Sequence, residues 1–318
     1  MDKDKAPVSR RAFLQSAAAV GGTLAVSGKV AANGETAQFL PTVQFGKARV
    51  TRLIIGSNPF YGYSHFNMVL DRHMRDWMSQ ERKMEVLHRC EQGGINTWQL
   101  HYNTQPVEDF QRYRAEGGKM NLILLGDFAL MQDLTLIPKV AREMSPLGIG
   151  HHGNRTDERF RSGETVKVRD FLKAVRDSGV MVGLSTHNPA VIDAAESQGW
   201  DVDYYMTCFY RVSRTAEEAR KEFGEAPLGE TFFEKDPERM CKMIRQTRKP
   251  CLAFKVLGAG RSIGSTQAVE SALRFALTNI KPTDAIIVGM FPRWKDEVKE
   301  NIELVRRILE KKSGVEPG

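Results

Sequence analysis

Residues 180–188 read VMVGLSTHN, an apolar run that ends in serine, threonine, histidine and asparagine. Val180 to Leu184 is short and rich in aliphatic side chains, which is typical of a buried strand. Polar side chains directly after such a strand either face solvent or form one wall of a site. The choice between these interpretations depends on whether the same pattern recurs elsewhere in the chain.

The pattern recurs at regular intervals. Seven further apolar runs, each followed by polar residues or glycine, lie at residues 52–55, 95–100, 121–125, 147–150, 203–206, 251–254 and 285–288. Stretches with apolar residues at helical spacing lie between them, at residues 81–92, 168–178, 190–198 and 268–279. Strands that alternate with helices predict an α/β fold with a parallel sheet. Eight strands suit one closed (β/α)8 TIM barrel, which typically takes about 250 residues. We predict such a barrel over residues 33–318, with long loops at the carboxyl ends of its strands.

The first 32 residues resemble a twin-arginine translocation signal. Arg10 and Arg11 precede a mildly apolar stretch rich in alanine and glycine, which ends near the small pair Ala31 and Ala32. Such a signal predicts export through the twin-arginine translocon, cleavage after Ala32 and a periplasmic location. The apolar stretch is short and interrupted by glycine, so we expect no stable membrane insertion after cleavage.

Charge and cysteine content argue against two kinds of site. The net charge is +7, and the first 32 residues, with five basic and two acidic side chains, carry a large share of it. The remainder has no basic stripe interleaved with aromatic residues, so nucleic-acid binding is not expected. The four cysteines, Cys90, Cys208, Cys241 and Cys251, show no C-x-x-C spacing. Ordinary buried thiols are therefore favoured over a zinc site or a redox pair.

Polar residues gather at the predicted strand ends. In a (β/α)8 barrel, catalytic groups come from the carboxyl ends of several strands, which share one rim. The candidates at these ends and in the loop after the first strand are Asn58, His65, Gln99, His101, Asp127, His151, His152, His187, Thr207 and Lys255. We predict that Asn58, His65, Gln99, His101 and His187 contact a small-molecule substrate.

Three of the rim residues are predicted to act in catalysis. Asp127 and His152 form a candidate acid/base pair on adjacent strands. Lys255 is a candidate cation for a substrate carboxylate or phosphate, and a Schiff-base lysine is the alternative. Imidazoles of the rim could instead hold a divalent metal, although no strand carries a His-x-His pair.

Two long connections are predicted to cover the rim. Residues 58–77 follow the first strand, are rich in aromatic and hydroxyl side chains, and are expected to form a lid that carries His65 before the first helix begins. Residues 212–239 follow the sixth strand and contain a charged, helix-like segment at Ala216–Phe223.

Six motifs in order resemble those of the aldo/keto reductase superfamily, whose members are NAD(P)-dependent (β/α)8 barrels. They are VQFGKARVTRL at 43–53, GGINTW at 93–98, GLSTHNP at 183–189, DYYMTCFY at 203–210, AFKVLGAG at 253–260, and VGM with EVKEN at 288–290 and 297–301. The resemblance covers about 270 residues and implies an N-terminal hairpin before the barrel. It also implies an NAD(P) site in which Phe254 stacks on the nicotinamide and Ser185 contacts its carboxamide. The remaining implied cofactor contacts are Leu257, Gly258 and Gly260 for the pyrophosphate, and Glu300 and Asn301 for the adenine.

The catalytic residues depart from the family's Asp–Tyr–Lys–His tetrad. The aspartate position reads Gln99, the tyrosine position Thr104 with Tyr102 nearby, and the lysine position Asp127; the histidine survives as His151 or His152. A carboxylate in place of the lysine would raise a phenol's pKa, which opposes proton donation at neutral pH.

Three functions follow from these observations. Our working hypothesis is an atypical NAD(P)-dependent oxidoreductase that acts on a small carbonyl or sugar-like substrate, with His152 or Tyr102 as the proton relay. The alternative is a non-redox lyase, epimerase or hydrolase that uses histidine and aspartate, or a metal, on a sugar-like substrate. The third is a periplasmic ligand-binding barrel.

Overall fold

The computed structural model of the protein describes residues 39–312, so the twin-arginine segment predicted at residues 1–32 lies outside the described part. A two-stranded antiparallel hairpin, β1 (Thr42–Phe45) and β2 (Ala48–Thr51), precedes the barrel. The barrel strands are β3 (Leu53–Gly56), β4 (Thr97–His101), β5 (Asn121–Leu125), β6 (Gly148–His151), β7 (Met181–Thr186), β8 (Tyr204–Cys208), β9 (Cys251–Phe254) and β10 (Ala285–Gly289). These strands pair in parallel and in chain order, and β10 pairs with β3 to close the ring. The predicted (β/α)8 barrel with an N-terminal hairpin is confirmed.

Helices fill the connections between the strands. They are α1 (Met68–Trp77), α2 (Gln80–Gln92), α3 (Thr104–Ala115), α4 (Phe128–Gln132), α5 (Ile137–Met144), α6 (Gly153–Arg161), α7 (Thr165–Asp177), α8 (Pro189–Ser197), α9 (Ala216–Phe223), α10 (Asp236–Gln246), α11 (Thr266–Asn279) and α12 (Glu297–Lys312). Side-chain caps start several of them: Ser79 accepts from the Arg82 amide, and Thr215 forms a capping box with Glu218. The four helices predicted from apolar spacing are present, each within a few residues of its predicted bounds.

The core has an outer layer between strands and helices and an inner layer within the barrel. The inner layer is formed by side chains from alternate strand positions, such as Ile54, Ile123 and Tyr204. These side chains pack against apolar residues of the hairpin. The rings of Phe45 and Tyr204 lie edge to face, 4.8 Å apart, so the hairpin plugs the amino-terminal end of the barrel. A Cβ atom at Gly183 would overlap the Tyr204 ring, which explains a glycine inside a buried strand.

In the connection after β3, the prediction that the first helix begins after Trp77 is wrong. The connection begins with a short 3₁₀ helix, Asn58–Tyr61, and continues as α1, so the first helix ends at Trp77 instead of beginning after it. The side chain of Asn67 caps α1 by accepting from the Leu70 amide. No residue of α1 is fully buried, which weakens the periodic signal that would reveal it from sequence.

Two further findings concern the helices and the cysteines. No helix within residues 39–312 is both long and apolar enough to cross a bilayer. All four cysteines are buried free thiols, and burial raises the pKa of each to about 12. The expectation of ordinary buried thiols is met.

Candidate functional site

A cavity of about 230 Å³ opens at the carboxyl ends of the strands. Of the predicted rim residues, Asn58, His65, Gln99 and Lys255 line it, and so does Phe254 from the implied cofactor site. From there the cavity extends between α1 and the segment after β10, where apolar side chains line it. A second cavity of about 410 Å³ adjoins the rim and is lined by His187, Cys208 and residues that follow β8.

A buried carboxylate holds the imidazole of His187. Oδ2 of Asp157, on α6, lies 2.9 Å from Nδ1 of His187 and accepts the backbone amide of the same residue at 3.0 Å. The hydroxyl of Thr186 donates to the other carboxylate oxygen. An ionised carboxylate can only accept, so Nδ1 of His187 carries a proton and Nε2 of the neutral ring carries a lone pair.

The ionised form of Asp157 is favoured by its hydrogen bonds. Burial alone would raise the pKa of this carboxyl group, but the hydrogen bonds from His187, Thr186 and Ser213 outweigh burial and leave the pKa below its ordinary value. Asp157 is absent from the predicted site. It lies on a helix after β6, at a position that a search confined to strand ends does not reach.

Lys255 and His187 share an aromatic wall. The ring centre of His187 and Nζ of Lys255 each lie 5.6 Å from the ring centre of Phe254. Lys255 is half-buried and adopts a left-handed φ of 57°, a conformation that a side chain with a Cβ seldom takes. Burial lowers the pKa of its amine, and Arg261 adds to the effect, while Cys208 and Glu230 oppose it. The strained residue thus places an amine with a lowered pKa on the cavity wall.

Two long loops meet over the rim through His65. Nδ1 of His65 lies 2.8 Å from Oε1 of Glu230, in the connection after β8, and Nε2 lies 3.2 Å from Nδ2 of Asn58. Burial lowers the pKa of His65, and the nearby Lys255 adds to this, although Glu230 opposes it. Glu230 is a second site residue that the sequence did not predict. It lies in a long connection, far along the chain from any strand end, so its position in space could not be inferred.

His152, His101 and Asp127 lie on the other side of the rim. Burial lowers the pKa of His152 to about 4, with smaller contributions from His187 and His101, and its Nδ1 has no hydrogen-bond partner among the described residues. Burial also lowers the pKa of His101, whose Nδ1 lies 3.4 Å from the hydroxyl of Ser57. Both imidazoles are therefore neutral near pH 7.

Asp127 lies close enough to oppose these shifts but forms no hydrogen bond with His152 in the described structure. Its side chain caps α4 by accepting the Phe128 amide at 2.7 Å. Tyr102 shares with Asp127 a separate depression, away from the cavity that Lys255 lines. The predicted Asp127–His152 pair and the Tyr102 relay thus lack direct contact with that cavity.

Of the two adjacent histidines, His151 belongs to the core. It is fully buried, its Nδ1 lies 2.7 Å from the hydroxyl of Thr156, and its ring packs edge to face on Phe171. Burial, reinforced by Arg159 and His152, lowers the pKa of His151 from 6.5 to about 3. The structure thus assigns His151 to packing and His152 to the rim.

His151 makes stability depend on pH. Between about pH 6.5 and 3 the unfolded chain protonates this residue and the folded chain does not, so acidification through this window destabilises the fold. The slope is at most about 1.4 kcal/mol per pH unit for one proton. We expect His151→Asn to flatten the pH dependence of the free energy of unfolding, measured by urea denaturation. Thr156→Val, which removes the hydrogen bond but keeps the imidazole, should retain the wild-type slope. An unchanged slope in His151→Asn would contradict this assignment.

Only some of the residues implied to bind NAD(P) line the cavity at the rim. Phe254, Leu257 and Gly260 line the cavity, whereas Ser185, Gly258, Glu300 and Asn301 do not. Glu300 is bound to Lys295 at 2.6 Å and to the hydroxyl of Thr266, and the buried Oδ1 of Asn301 has no partner within the described chain.

The groups implied for the carboxamide and the adenine thus lie outside this cavity, whose volume is about 230 Å³.

Metal ligands are not grouped at the rim. Among the residues that the structure describes, no three histidine, cysteine, aspartate or glutamate side chains are placed to share one ion. The imidazoles of His187, His65 and His101 instead hydrogen-bond to Asp157, Glu230 and Ser57, respectively.

Comparison with known proteins identifies the fold only. No protein-family model matches the chain, and no curated protein matches it by sequence. A truncated 3-deoxy-D-arabino-heptulosonate 7-phosphate synthase from Thermotoga maritima matches with a TM-score of 0.50 and 15% identity over 87% of this chain and 95% of that chain. Gox0644 without ligand matches with a TM-score of 0.52 and 10% identity over 88% and 97%. A substituted form of Gox0644 in complex with NADPH gives 0.51 and 12% over the same shares. Matches at identities this low show that the (β/α)8 barrel is shared. They do not show a shared activity.

Proposed function

We propose that the protein is a proton-transfer enzyme that removes a proton from the carbon beside the carbonyl group of a small, sugar-like substrate, as epimerases and lyases do. The observation that carries the proposal is the hydrogen bond between buried Asp157 and Nδ1 of His187 at the rim. This contact leaves Nε2 of His187 as the base and stabilises the imidazolium that forms when it accepts a proton.

The cavity supports a small polar substrate with a carbonyl group. Its volume of about 230 Å³ suits a compound of few heavy atoms. The Phe254 ring offers an apolar face, while Asn58 and Gln99 offer amide groups to hydroxyls. The amine of Lys255 lies where it can polarise the carbonyl, because it and His187 flank the same ring. His187 lines the adjoining cavity and packs against the same ring, so the proposal requires the α-carbon of the substrate to reach the edge of Phe254 between the two groups.

Solvent isotope exchange tests the proposal. The protein is incubated in D₂O with small hydroxylated aldehydes and ketones, including trioses and hexoses, without any nucleotide, and deuterium at the α-carbon is followed by NMR. We expect exchange with at least one compound and its loss in His187→Asn. Oxidation of NADPH by the same compounds, with no exchange in any of them, would overturn the proposal.

A nicotinamide-dependent oxidoreductase of the aldo/keto reductase type is the second candidate. The observation that favours it is that Phe254, Leu257 and Gly260 line one cavity, next to a turn in which Gly258, Ala259 and Gly260 all have positive φ. Such backbone can approach a phosphate closely. Quenching of tryptophan fluorescence by NADPH or NADH, followed by carbonyl-dependent oxidation, would support this candidate.

A further inference from the structure

We propose that Lys255 is a nucleophile that forms a Schiff base with the carbonyl carbon of a small aldehyde or ketone substrate. The inference rests on the proposed function, because it specifies how the carbonyl is activated before His187 removes the α-proton. The inference adds to the proposed function that the reaction passes through a covalent intermediate on Lys255. It also requires that every substrate is an aldehyde or a ketone.

Lys255 differs from every other lysine of comparable burial in the described chain. Nζ of Lys83 lies 2.7 Å from Asp109, Nζ of Lys281 lies 3.1 Å from Asp284, and Nζ of Lys249 lies 3.4 Å from Glu196. Within residues 39–312, Nζ of Lys255 forms no hydrogen bond or ion pair. The amine of this half-buried side chain is therefore free to bond to a ligand in the cavity that it lines.

The surroundings of Lys255 favour the free amine. The side chain lies beside the Phe254 ring and lines a cavity that is mostly apolar beyond the rim. Desolvation lowers the pKa of the amine, and Arg261 acts in the same direction. A neutral amine is the nucleophilic form, and desolvation in an apolar pocket is a recognised way to produce it.

The chemistry balances without an oxidant or a metal. The lone pair of Nζ forms a bond to the carbonyl carbon, and a proton passes from Nζ to the oxygen to give a neutral carbinolamine. A further proton, taken from solvent, allows that oxygen to leave as water, and the protonated imine that remains withdraws electrons from the α-carbon. Nε2 of His187 then takes the α-proton to give an enamine. Return of the proton and hydrolysis by water release the product and the free amine.

Borohydride trapping tests the inference. The full-length protein is mixed with dihydroxyacetone, glyceraldehyde or pyruvate and reduced with sodium borohydride, and lysine-containing peptides are quantified by mass spectrometry. We expect a higher yield of the reduced adduct on Lys255 than on any exposed lysine, because Lys255 is the lysine whose side chain lines the cavity. Lys255→Arg should abolish this adduct, and Lys173→Arg, at an exposed position on α7, should leave it unchanged.

The outcomes separate this inference from the proposed function. Labelling of exposed lysines without preference for Lys255, together with α-proton exchange that survives in Lys255→Arg, would overturn the Schiff base and leave His187 as the base. A specific Lys255 adduct with no exchange in any compound would support the Schiff base and remove the proposed proton transfer. Circular dichroism of Lys255→Arg checks that the variant folds.

Discussion

Replacing Asp157 with asparagine will lower the rate of α-proton exchange by about 10²–10⁴-fold, the range that general acid–base groups contribute. An amide can donate to Nδ1 of His187, which would move the ring proton to Nε2 and remove the lone pair that acts as the base. The same variant also loses the negative charge that stabilises the imidazolium. His187→Asn should cause a loss of similar size, because the two residues act as a unit.

Controls distinguish this effect from a loss of structure. Asp157 is buried and accepts from Thr186 and His187, so the free energy of unfolding must be measured for each variant. Asp170→Asn, at an exposed position on α7, should keep wild-type exchange. If Asp157→Asn remains folded and exchanges within about twofold of wild type, Asp157 does not support a catalytic base.

Removing the carboxylate of Asp109 will cause the largest stability loss that we expect from a single substitution outside the site. Asp109 binds Nζ of Lys83 at 2.7 Å and accepts from the hydroxyl of Tyr61 at 3.1 Å, and both charged side chains are almost fully buried. Asp109→Ala leaves a buried ammonium ion unpaired, which costs about 3–5 kcal/mol.

Urea denaturation at neutral pH measures this loss. The double variant Lys83→Met with Asp109→Leu should recover most of it, because replacing both charges by apolar groups of similar volume is often close to neutral. The exposed pair of Arg72 and Asp76, 3.8 Å apart, is the matched control, and Asp76→Ala should change stability by less than about 1 kcal/mol. A loss in Asp109→Ala no larger than this control would show that the pair does not hold α2 and α3 together.

Most of the barrel could be predicted from the sequence because its signals are local. A buried parallel strand is a short apolar run, and each of the eight runs predicted to be strands forms a strand of the barrel. The hairpin followed from the motif at residues 43–53. In contrast, α1 was missed because its apolar residues Leu70, Met74 and Trp77 lie on a helix with no fully buried member.

The rim was predicted only in part. Topology alone brings strand-end residues together, which is why His187 and Lys255 could be placed near each other before their contacts were known. The partners that fix their chemistry are Asp157 and Glu230, which lie on a helix and in a loop. Their positions depend on tertiary packing, which no spacing rule in the sequence encodes. For the same reason, the sequence could not decide whether His151 or His152 lies at the rim. Tertiary packing turns His151 towards Phe171 and leaves His152 at the rim.

The most direct test of the central claim is the tautomer of His187, measured by ¹⁵N and ¹H NMR on histidine-labelled protein at neutral pH. We expect one histidine with a strongly deshielded, slowly exchanging proton on Nδ1 that disappears in His187→Asn and shifts in Asp157→Asn. A proton on Nε2 of His187 with an unprotonated Nδ1 would contradict the claim, because the nitrogen left for the substrate would then be a donor and could not act as the base.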